Sequence, residues 1–241
     1  QHSNPWPVHE ISPHLMVAPL TPSRVAPLFQ STFGQTYRHL TITDSTQDAL
    51  LDNDPEGTIV VAEEQSAGRG RRGRTWVAPP GQALLMSILL RPGREHQAAQ
   101  LSLVAGVVVA ATIEREIGIP TGVKWPNDVL VGRAKVAGIL AEKRRGIVAL
   151  GIGVNVNQTK EHLPDNVRLE ATSLRLASGR EFDRAVLLAR IATGIEASYR
   201  TWLTNGLRSI TNELAHRDIL RGRGVRISQL RRQRRVLAHV G

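Results

Sequence analysis

Hydrophobic and polar residues show little periodicity up to residue 39 and clear periodicity after it. Residues 1–39 contain six of the 13 prolines, and no apolar spacing persists there. From Leu40 onward, short β-branched runs and segments of helical spacing follow one another as far as residue 216. We therefore predict a Pro-rich arm over residues 1–39, a folded domain over residues 40–216 and a separate C-terminal segment over residues 217–241.

Three segments have the spacing of amphipathic helices. They are Glu95–Gly118, Phe182–Leu203 and Leu207–Ala215. A further helix is expected over Gln47–Leu51, because the polar residues Asp44-Ser45-Thr46 that precede it are typical of a helix cap.

Six short runs have the composition of strands. They are Thr58–Glu63, Ala83–Leu90, Val123–Trp125, Val129–Val131, Val136–Glu142 and Ile147–Val156. The last four follow one another with only turns between them before the next helix. This order favours an α/β (α+β) fold with a mixed, largely antiparallel central sheet flanked by helices, rather than regular βαβ alternation.

Composition excludes several classes of protein. Hydrophobic residues make up 41 %, as in a globular protein, and the absence of cysteine excludes disulfides, thiolate metal sites and a cysteine nucleophile. The longest apolar runs are too short to cross a bilayer, and no basic region followed by an apolar run marks a secretory signal. We predict a cytoplasmic protein with no membrane association.

The net charge of +10 is unevenly distributed. Residues 217–241 hold eight arginines against Asp218 alone, and four more arginines fall within Gly68–Arg74. A basic run is usually a solvated face or tail, and the alternative is a nucleic-acid contact.

The segment Gly68–Arg74 satisfies G-x-G-x-x-G and nearly satisfies the P-loop pattern. Both motifs require a helix to follow, whereas Pro79-Pro80-Gly81 ends any helix here. What remains is a glycine-rich, arginine-rich loop, in which backbone N–H groups can approach an anion and guanidinium groups can bind it. The loop predicts a phosphate-bearing ligand, and the alternative is a basic nucleic-acid or localisation patch.

Three later motifs are weaker signals. Lys124–Asp128 offers an Asn and an Asp for a nucleotide or Mg²⁺, or is an ordinary turn. Lys135 enters the apolar run to Leu140, so it pairs with an anionic ligand or extends to water at the sheet edge. The glycines of Gly151–Asn157 suggest close approach of a ligand, or a bulged strand.

In their order and spacing, these motifs closely resemble the catalytic domain of biotin protein ligases. The resemblance rests on Ser45-Thr46, Glu64–Trp76, Lys124–Asp128, Lys135–Leu140 and Gly151–Asn155, within a match over about Leu40–Ala215. It implies the fold of class II aminoacyl-tRNA synthetases and lipoate ligases. It also implies that biotin reacts with Mg²⁺-ATP to give biotinyl-5′-adenylate, which a lysine of a biotin carboxyl carrier domain then attacks.

The resemblance also implies residue roles. Lys135 would be the main catalytic residue, bridging the biotin carboxylate and the α-phosphate, and Arg71 would assist it. The residues implied for biotin are Ser45, Thr46, Gln65, Gly68, Arg69, Gly70, Lys135 and Gly138. Those implied for ATP and the adenylate are Arg71, Arg72, Arg74, Trp76, Asn127, Asp128 and Asn155, with Asp128 as the expected Mg²⁺ ligand.

Three departures from the family pattern qualify these expectations. Gln47 stands where the family often has Asn. Residues 1–39 are too short and Pro-rich for the DNA-binding winged helix of bifunctional members, so we predict a monofunctional type without specific DNA binding. Leu220–Ile227 resembles the first strand of the family's C-terminal SH3-like barrel, but residues 217–241 supply too few strands to close one.

Two other functions stay open at this point. A lipoate-protein ligase on the same fold would bind lipoate instead of biotin. A basic nucleic-acid-binding protein would bind RNA or DNA with a steep salt dependence, although aromatic residues make up only 4 % of the chain. The oligomeric state is also open, with a homodimer as one possibility.

Overall fold

Seven strands form one sheet in the computed structural model, which describes residues 18–93, 97–164 and 169–223. The strands are β1 (Tyr37–Thr43), β2 (Ile59–Gln65), β3 (Ala83–Leu90), β4 (Thr121–Lys124), β5 (Asp128–Val131), β6 (Ala134–Arg144) and β7 (Ile147–Asn155). Their order across the sheet is β1-β2-β3-β7-β6-β5-β4. β1 and β2 run parallel, and all other neighbours run antiparallel. This confirms the predicted mixed, largely antiparallel sheet.

The helices of the described residues are α1 (Pro22–Val25), α2 (Leu101–Ile117), α3 (Leu174–Ser178), α4 (Arg184–Asn205) and α5 (Thr211–Arg217). α2 ends where Gly118 takes up a left-handed φ of 69°, which glycine tolerates best. Asp183 caps the start of α4, because its carboxylate accepts a hydrogen bond of 2.7 Å from the N–H of Ala185.

The sequence predictions differ from the structure in two places near the N-terminal side of the sheet. Residues 47–51 do not form a helix, because the N–H groups of Asp48 and Ala49 both bond to the carbonyl of Ser45 in one isolated turn. Strand β1 was not predicted, and it begins inside the segment expected to be an irregular arm. The described part of that segment is packed against the sheet, since Leu20 and Val25 are fully buried.

The hydrophobic core lies between the sheet and helices α2 and α4. Alternate residues of β7 join this core: Val148, Leu150, Ile152 and Val154. The helices approach closely, and a Cβ on Gly194 would lie 2.7 Å from Cγ1 of Val108. The intervening β7 residues, among them Gly151 and Gly153, therefore point to the opposite face of the sheet.

One helical stretch, Ala98–Ile117, is long and apolar enough to cross a membrane by length and composition. It contains α2, and 61 % of its most apolar window is buried inside the fold. Its apolar character is accounted for by its place in the core.

The C-terminal segment is described only up to residue 223. Ile219 donates a hydrogen bond of 3.2 Å from its N–H to the carbonyl of Val123 in β4. Leu220–Arg223 form a turn. The rest of the predicted barrel strand and the arginine run at residues 231–235 lie outside the described residues.

Glu196 of α4 joins the helix to the loop before β1, and we expect it to make stability depend on pH. Its carboxylate accepts hydrogen bonds from Thr32, Phe33 and Arg200. Burial alone would raise the pKa of Glu196, but these hydrogen bonds outweigh it and lower the pKa to about 2. The stabilisation is therefore complete above the ordinary carboxyl pKa and is lost as the pH falls toward 2.

Glu196→Gln is expected to lower the free energy of unfolding by about 2 kcal/mol at about pH 7 and by much less near about pH 3. Urea unfolding at the two pH values measures both quantities. Glu213→Gln, which alters an exposed carboxylate on α5, is the control and should change neither. A deficit of equal size at both pH values would contradict the account.

Candidate active site

Three glycines expose the backbone of β6 and β7 on the sheet face opposite the helices. Gly138 and Gly153 are direct partners across the two strands, and Gly151 lies two residues before Gly153. A Cβ on Gly153 would lie 2.7 Å from Cε2 of Trp76, and one on Gly138 would lie 2.9 Å from Cζ3 of the same ring. A side chain at either position would collide with the indole, so glycine is what lets the ring lie against both strands. We call Gly138, Gly151 and Gly153 the glycine floor.

Lys135 lies at the edge of this floor, beside Trp76. Its Nζ is 5.4 Å from the indole centroid and 2.6 Å from Oδ1 of Asp128. The backbone of Lys135 is fixed on both sides, because its N–H bonds to the carbonyl of Glu170 and its carbonyl accepts from the N–H of Thr172. The lysine therefore has an anionic partner within the chain, at a position where it can also meet a ligand on the floor.

The contact between Lys135 and Asp128 leaves the carboxylate of Asp128 able to accept further hydrogen bonds or to bind a cation. Oδ1 is buried and, apart from this short but poorly aligned ion pair, has no hydrogen bond among the described residues. The same holds for Nε1 of Trp76, which is buried without an acceptor in the described part of the chain. Two polar atoms with unused bonding capacity thus lie beside the floor.

Residues 68–76 form a tight hairpin, which we call the arginine hairpin. The N–H of Gly70 bonds to the carbonyl of Arg74 at 2.7 Å, and the N–H of Trp76 bonds to the carbonyl of Gly68 at 2.8 Å. A Cβ on Gly68 would lie 2.4 Å from the carbonyl oxygen of Trp76, so no side chain fits there. The hairpin thereby carries Trp76 onto the glycine floor.

The four arginines of the hairpin have different surroundings. Arg69 pairs with Asp48 at 2.9 Å and with Glu142 at 3.2 Å. Nη1 of Arg71 lies 3.5 Å from Oδ1 of Asn127, at the limit of a hydrogen bond. Arg72 and Arg74 are exposed, and their side chains make no ion pair or hydrogen bond among the described residues.

A buried polar cluster lies at the other end of the floor. Oγ1 of Thr46 is 2.7 Å from Oγ of Ser87, and the N–H of Thr46 donates to Oε1 of Gln65 at 2.8 Å. The side chain of Gln47 covers Gly151, and its Nε2 donates to the carbonyls of Leu140 and Ala149. Hydroxyl and carboxamide groups are thus collected in a site that excludes most water.

The structure brings most of the predicted site residues to this one face. Thr46 and Gln65 form the polar cluster with the buried Ser45 beside them, and Lys135, Asp128 and Trp76 surround Gly138. Arg69 departs from expectation, because its guanidinium is paired with carboxylates rather than free for a ligand. Asn155 is committed as well: its Nδ2 donates to the carbonyl of Thr172 and its Oδ1 accepts from Gln158.

Sequence reasoning missed Ser87, Asp48 and Glu142. Ser87 is the lone polar residue in the otherwise apolar strand β3, which is a signal that could have identified it. Asp48 and Glu142 are ordinary surface acids in the sequence, and only the folded chain shows that they converge on Arg69.

The described residues contain no group of three or more His, Cys, Asp or Glu side chains that could hold a metal ion. Asp128 supplies one carboxylate whose Oδ1 makes no hydrogen bond among the described residues and could bind a cation. Such a donor suits a Mg²⁺ ion that arrives with nucleotide phosphates rather than one held by protein ligands alone.

The chain that carries this site is similar in sequence to known protein ligases. The model of the biotin/lipoate A/B protein ligase family matches residues 39–158, from within β1 to just past the end of β7. The bifunctional ligase/repressor BirA of Bacillus subtilis (strain 168) is 43 % identical over 178 residues, covering 71 % of this chain and 55 % of the relative. The biotin–[acetyl-CoA-carboxylase] ligase of Mycobacterium tuberculosis is 36 % identical over 179 residues, covering 72 % and 65 %.

A solved structure gives the same relationship. The biotin protein ligase from Aquifex aeolicus in complex with biotin and ATP is 32 % identical, with a TM-score of 0.71. The alignment covers 77 % of this chain and 79 % of that one. By contrast, the chain spans only about half the length of the Bacillus relatives.

Proposed function

The chain belongs to the biotin/lipoate A/B protein ligase family, and we propose that it activates biotin with ATP and transfers it to a lysine of a biotin carboxyl carrier domain. One observation carries the proposal: Lys135 lies at the edge of the glycine floor, next to Trp76, with the arginine hairpin packed against the same face. This arrangement offers positive charge where two anionic substrates must meet.

In the first step, a carboxylate oxygen of biotin attacks the α-phosphorus of ATP. A new P–O bond forms, the bond to the β-phosphate breaks, and pyrophosphate leaves with the electron pair. Lys135 would bridge the carboxylate and the α-phosphate, and Arg71 would approach the phosphate from the hairpin. Fixed positive charge lowers the barrier because negative charge concentrates between the two reactants.

In the second step, the ε-amine of the acceptor lysine attacks the carbonyl carbon of the mixed anhydride. An amide bond forms, AMP leaves, and the amine releases a proton. The product is a biotinylated carrier domain. Exclusion of water until the acceptor arrives protects the anhydride from hydrolysis.

The polar cluster suits the ureido ring of biotin. Ser45, Thr46 and Gln65 present donors and acceptors at a buried end of the floor, where a ring carbonyl and ring N–H groups would find partners. Because they have no side chain, Gly68, Gly70 and Gly138 would let the backbone of the hairpin and of β6 come close to the ligand. Trp76 would then move to accommodate the ligand, since its ring covers Gly138 in this structure. Arg69 is already paired with the carboxylates of Asp48 and Glu142, so it would hold the arginine hairpin in position rather than bind the ligand itself.

The nucleotide would lie on the Lys135 side of the floor. Arg71, Arg72 and Arg74 provide positive charge for the phosphates, and Trp76 provides a ring for adenine. Asn127 and Asp128 would serve the nucleotide and its Mg²⁺, and Asn155 would support the loop at Thr172. Bound Mg²⁺ would offset the charge of the ATP phosphates.

Ser87 is expected to position Thr46 for biotin. Ser87→Ala removes one of the two partners of the Thr46 hydroxyl and leaves the bond of 3.1 Å to Oε1 of Gln65. The KM for biotin should therefore rise about tenfold while kcat changes less than about twofold. Steady-state kinetics measure KM and kcat separately and so show which of the two changes. Ser102→Ala is the matched control, since this buried serine of α2 bonds to the N–H of Ala141 from the helix side of the sheet. A fall in kcat with an unchanged KM would contradict this role.

The proposed function is tested by exchange of labelled pyrophosphate into ATP. We expect exchange that requires biotin and that lipoate does not support. In calorimetry, we expect the protein to bind biotin and not lipoate. Exchange with lipoate alone would assign the lipoate-ligase reaction instead. Absence of both exchanges, with tight and salt-dependent RNA or DNA binding, would favour a nucleic-acid-binding protein.

A further inference from the structure

The last strand of the sheet, β4, has β5 on one side and no further strand of the described residues on the other. The backbone groups that β4 turns outward are nevertheless paired. The N–H of Thr121 donates to Oε2 of Glu114 at 3.1 Å, and the carbonyl of Val123 accepts from the N–H of Ile219 at 3.2 Å. Asp218 lies opposite Val123 in a parallel bridge. The chain at the end of α5 thus covers the outer edge of β4, as a further strand would.

Arg217, the last residue of α5, ties this chain to both α2 and β4. Its guanidinium pairs with the carboxylate of Glu114, and its Nη1 also lies 3.4 Å from Oγ1 of Thr121. The side chain of Arg217 is 10 % exposed, so the pair is partly shielded from solvent. Burial would raise the pKa of Glu114, but hydrogen bonds from Thr121 and Arg217 outweigh it and hold the pKa below its usual range. Glu114 is therefore charged at neutral pH and keeps both partners in place.

Gly122 in β4 makes room for the same chain. A Cβ on Gly122 would collide with Cγ2 of Ile219 and would lie 3.4 Å from the carbonyl oxygen of Arg217. Because no side chain stands at this position, the chain lies directly against β4. We call residues 217–219 the C-terminal strap.

β4 leads directly into residues 124–128, which we call the proline turn. Lys124 and Asp128 pair across β4 and β5, and the N–H of Asn127 bonds to the carbonyl of Lys124 at 3.2 Å. The carbonyl of Asn127 accepts a hydrogen bond of 2.9 Å from the N–H of Ile139 in β6. The proline turn is therefore fixed by β6 on one side and by β4 on the other, and β4 is held at its outer edge by the strap.

We propose that the C-terminal strap fixes β4 and thereby sets the positions of Asn127 and Asp128 in the proline turn. Arg217 and Ile219 are positioning residues, because they act through β4 and touch no substrate. The effect on nucleotide binding rests on the proposed function, in which Asn127 and Asp128 serve the nucleotide and its Mg²⁺. Among the described residues, no hydrogen bond or ion pair joins the strap to the polar cluster, so biotin binding should be largely independent of it.

Ile219→Pro removes the donor of the bond to Val123 and suits the local backbone. Residue 219 is the second residue of the turn that the N–H of Arg221 closes on the carbonyl of Asp218, a position that favours proline. Asp218 has a φ of −68° and a ψ of 105°, the extended conformation preferred before proline. Ile219→Ala is the matched control, since it shortens the side chain and keeps the N–H.

Native-state hydrogen exchange of the ligand-free protein tests the strap directly. In Ile219→Pro, the amide of Asn127 should exchange about five- to tenfold faster, because β4 loses one of the bonds at its outer edge. The amides of β3, at the centre of the sheet, should keep their rates. In Ile219→Ala, exchange at Asn127 should stay within about twofold of the unaltered protein.

Unchanged exchange at Asn127 in Ile219→Pro would overturn the proposal. Equal acceleration in β3, or in Ile219→Ala, would overturn it too, because the effect would then come from general destabilisation or from side-chain packing. If Ile219→Pro does not fold, Arg217→Gln is measured instead, since it removes the pair with Glu114. It should show the same local acceleration, and its absence would count equally against the strap.

Steady-state kinetics connect the strap to the reaction. In Ile219→Pro, the KM for ATP should rise about fivefold, while the KM for biotin and kcat change less than about twofold. Equal changes in the two KM values, or none, would overturn the link to the nucleotide. If the unaltered protein forms no adenylate, the proposed function fails, while the exchange rates still decide whether the strap fixes the proline turn. If adenylate forms and neither exchange nor KM changes, only the strap fails.

Discussion

Lys135→Met is expected to lower the rate of biotin-dependent adenylate formation by about 100- to 1000-fold. Methionine keeps most of the length and apolar stem of lysine and removes the charge. The charge lies beside the face where we place the two anions. Its neighbour at 2.6 Å, Asp128, is itself negative, so removal of the ammonium leaves the contact between carboxylate and α-phosphate without its bridging charge. Single-turnover release of pyrophosphate measures the effect.

Two further variants keep this prediction specific. Lys143→Met removes an exposed lysine from the same strand and should leave the rate within about twofold. Lys135→Met/Asp128→Asn also removes the carboxylate left without its partner, and should recover stability without recovering the rate. A Lys135→Met protein that keeps a tenth or more of the rate would refute the role assigned to this lysine.

Gly68→Ala is expected to lower kcat/KM for biotin by about 100-fold. The new Cβ would lie 2.4 Å from the carbonyl of Trp76 and 2.8 Å from Nε2 of Gln65. Backbone cannot yield as a flexible side chain does, so the hairpin must open at its base. Opening there displaces both Trp76 and Gln65, which contacts Thr46.

Gly70→Ala provides the comparison within the same hairpin. Its Cβ would meet the carbonyl of Arg74 at 3.3 Å, a tight contact that a shift of a few tenths of an ångström relieves. The loss of kcat/KM should therefore be less than about tenfold. Circular dichroism and thermal unfolding would show that both variants are folded. Equal losses in the two variants would contradict the steric account of Gly68.

Much of the sheet could be predicted because strands of its centre are continuous apolar runs. Ala83–Leu90 was predicted with the bounds that the structure gives, and all eight of its residues are buried. β1 was missed because it is an edge strand whose residues are intermediate or exposed, so its sequence lacks a buried run. The helix predicted after Ser45 is wrong because Gln47 bonds to two strand carbonyls, a tertiary contact that propensity cannot anticipate.

The candidate site was predictable where a motif carries its own geometry. Gly68 and Gly138 were singled out from the sequence, and in the structure both meet the backbone or ring of Trp76 closely. Contacts across the sheet were not predictable, because strand register decides them. Ser87 reaches Thr46, and Glu142 reaches Arg69, only when β3 and β6 are in place.

The proposed reaction, in which this chain uses ATP to join biotin to a lysine of a carrier domain, is tested most directly by the intact mass of that domain. The carrier is incubated with the protein, biotin and Mg²⁺-ATP, alongside reactions that lack ATP or contain the Lys135→Met variant. We predict a mass increase of one biotinyl group in the complete reaction and none in the other two. An unchanged mass in the complete reaction, with a carrier that a known biotin protein ligase modifies fully, would contradict the account.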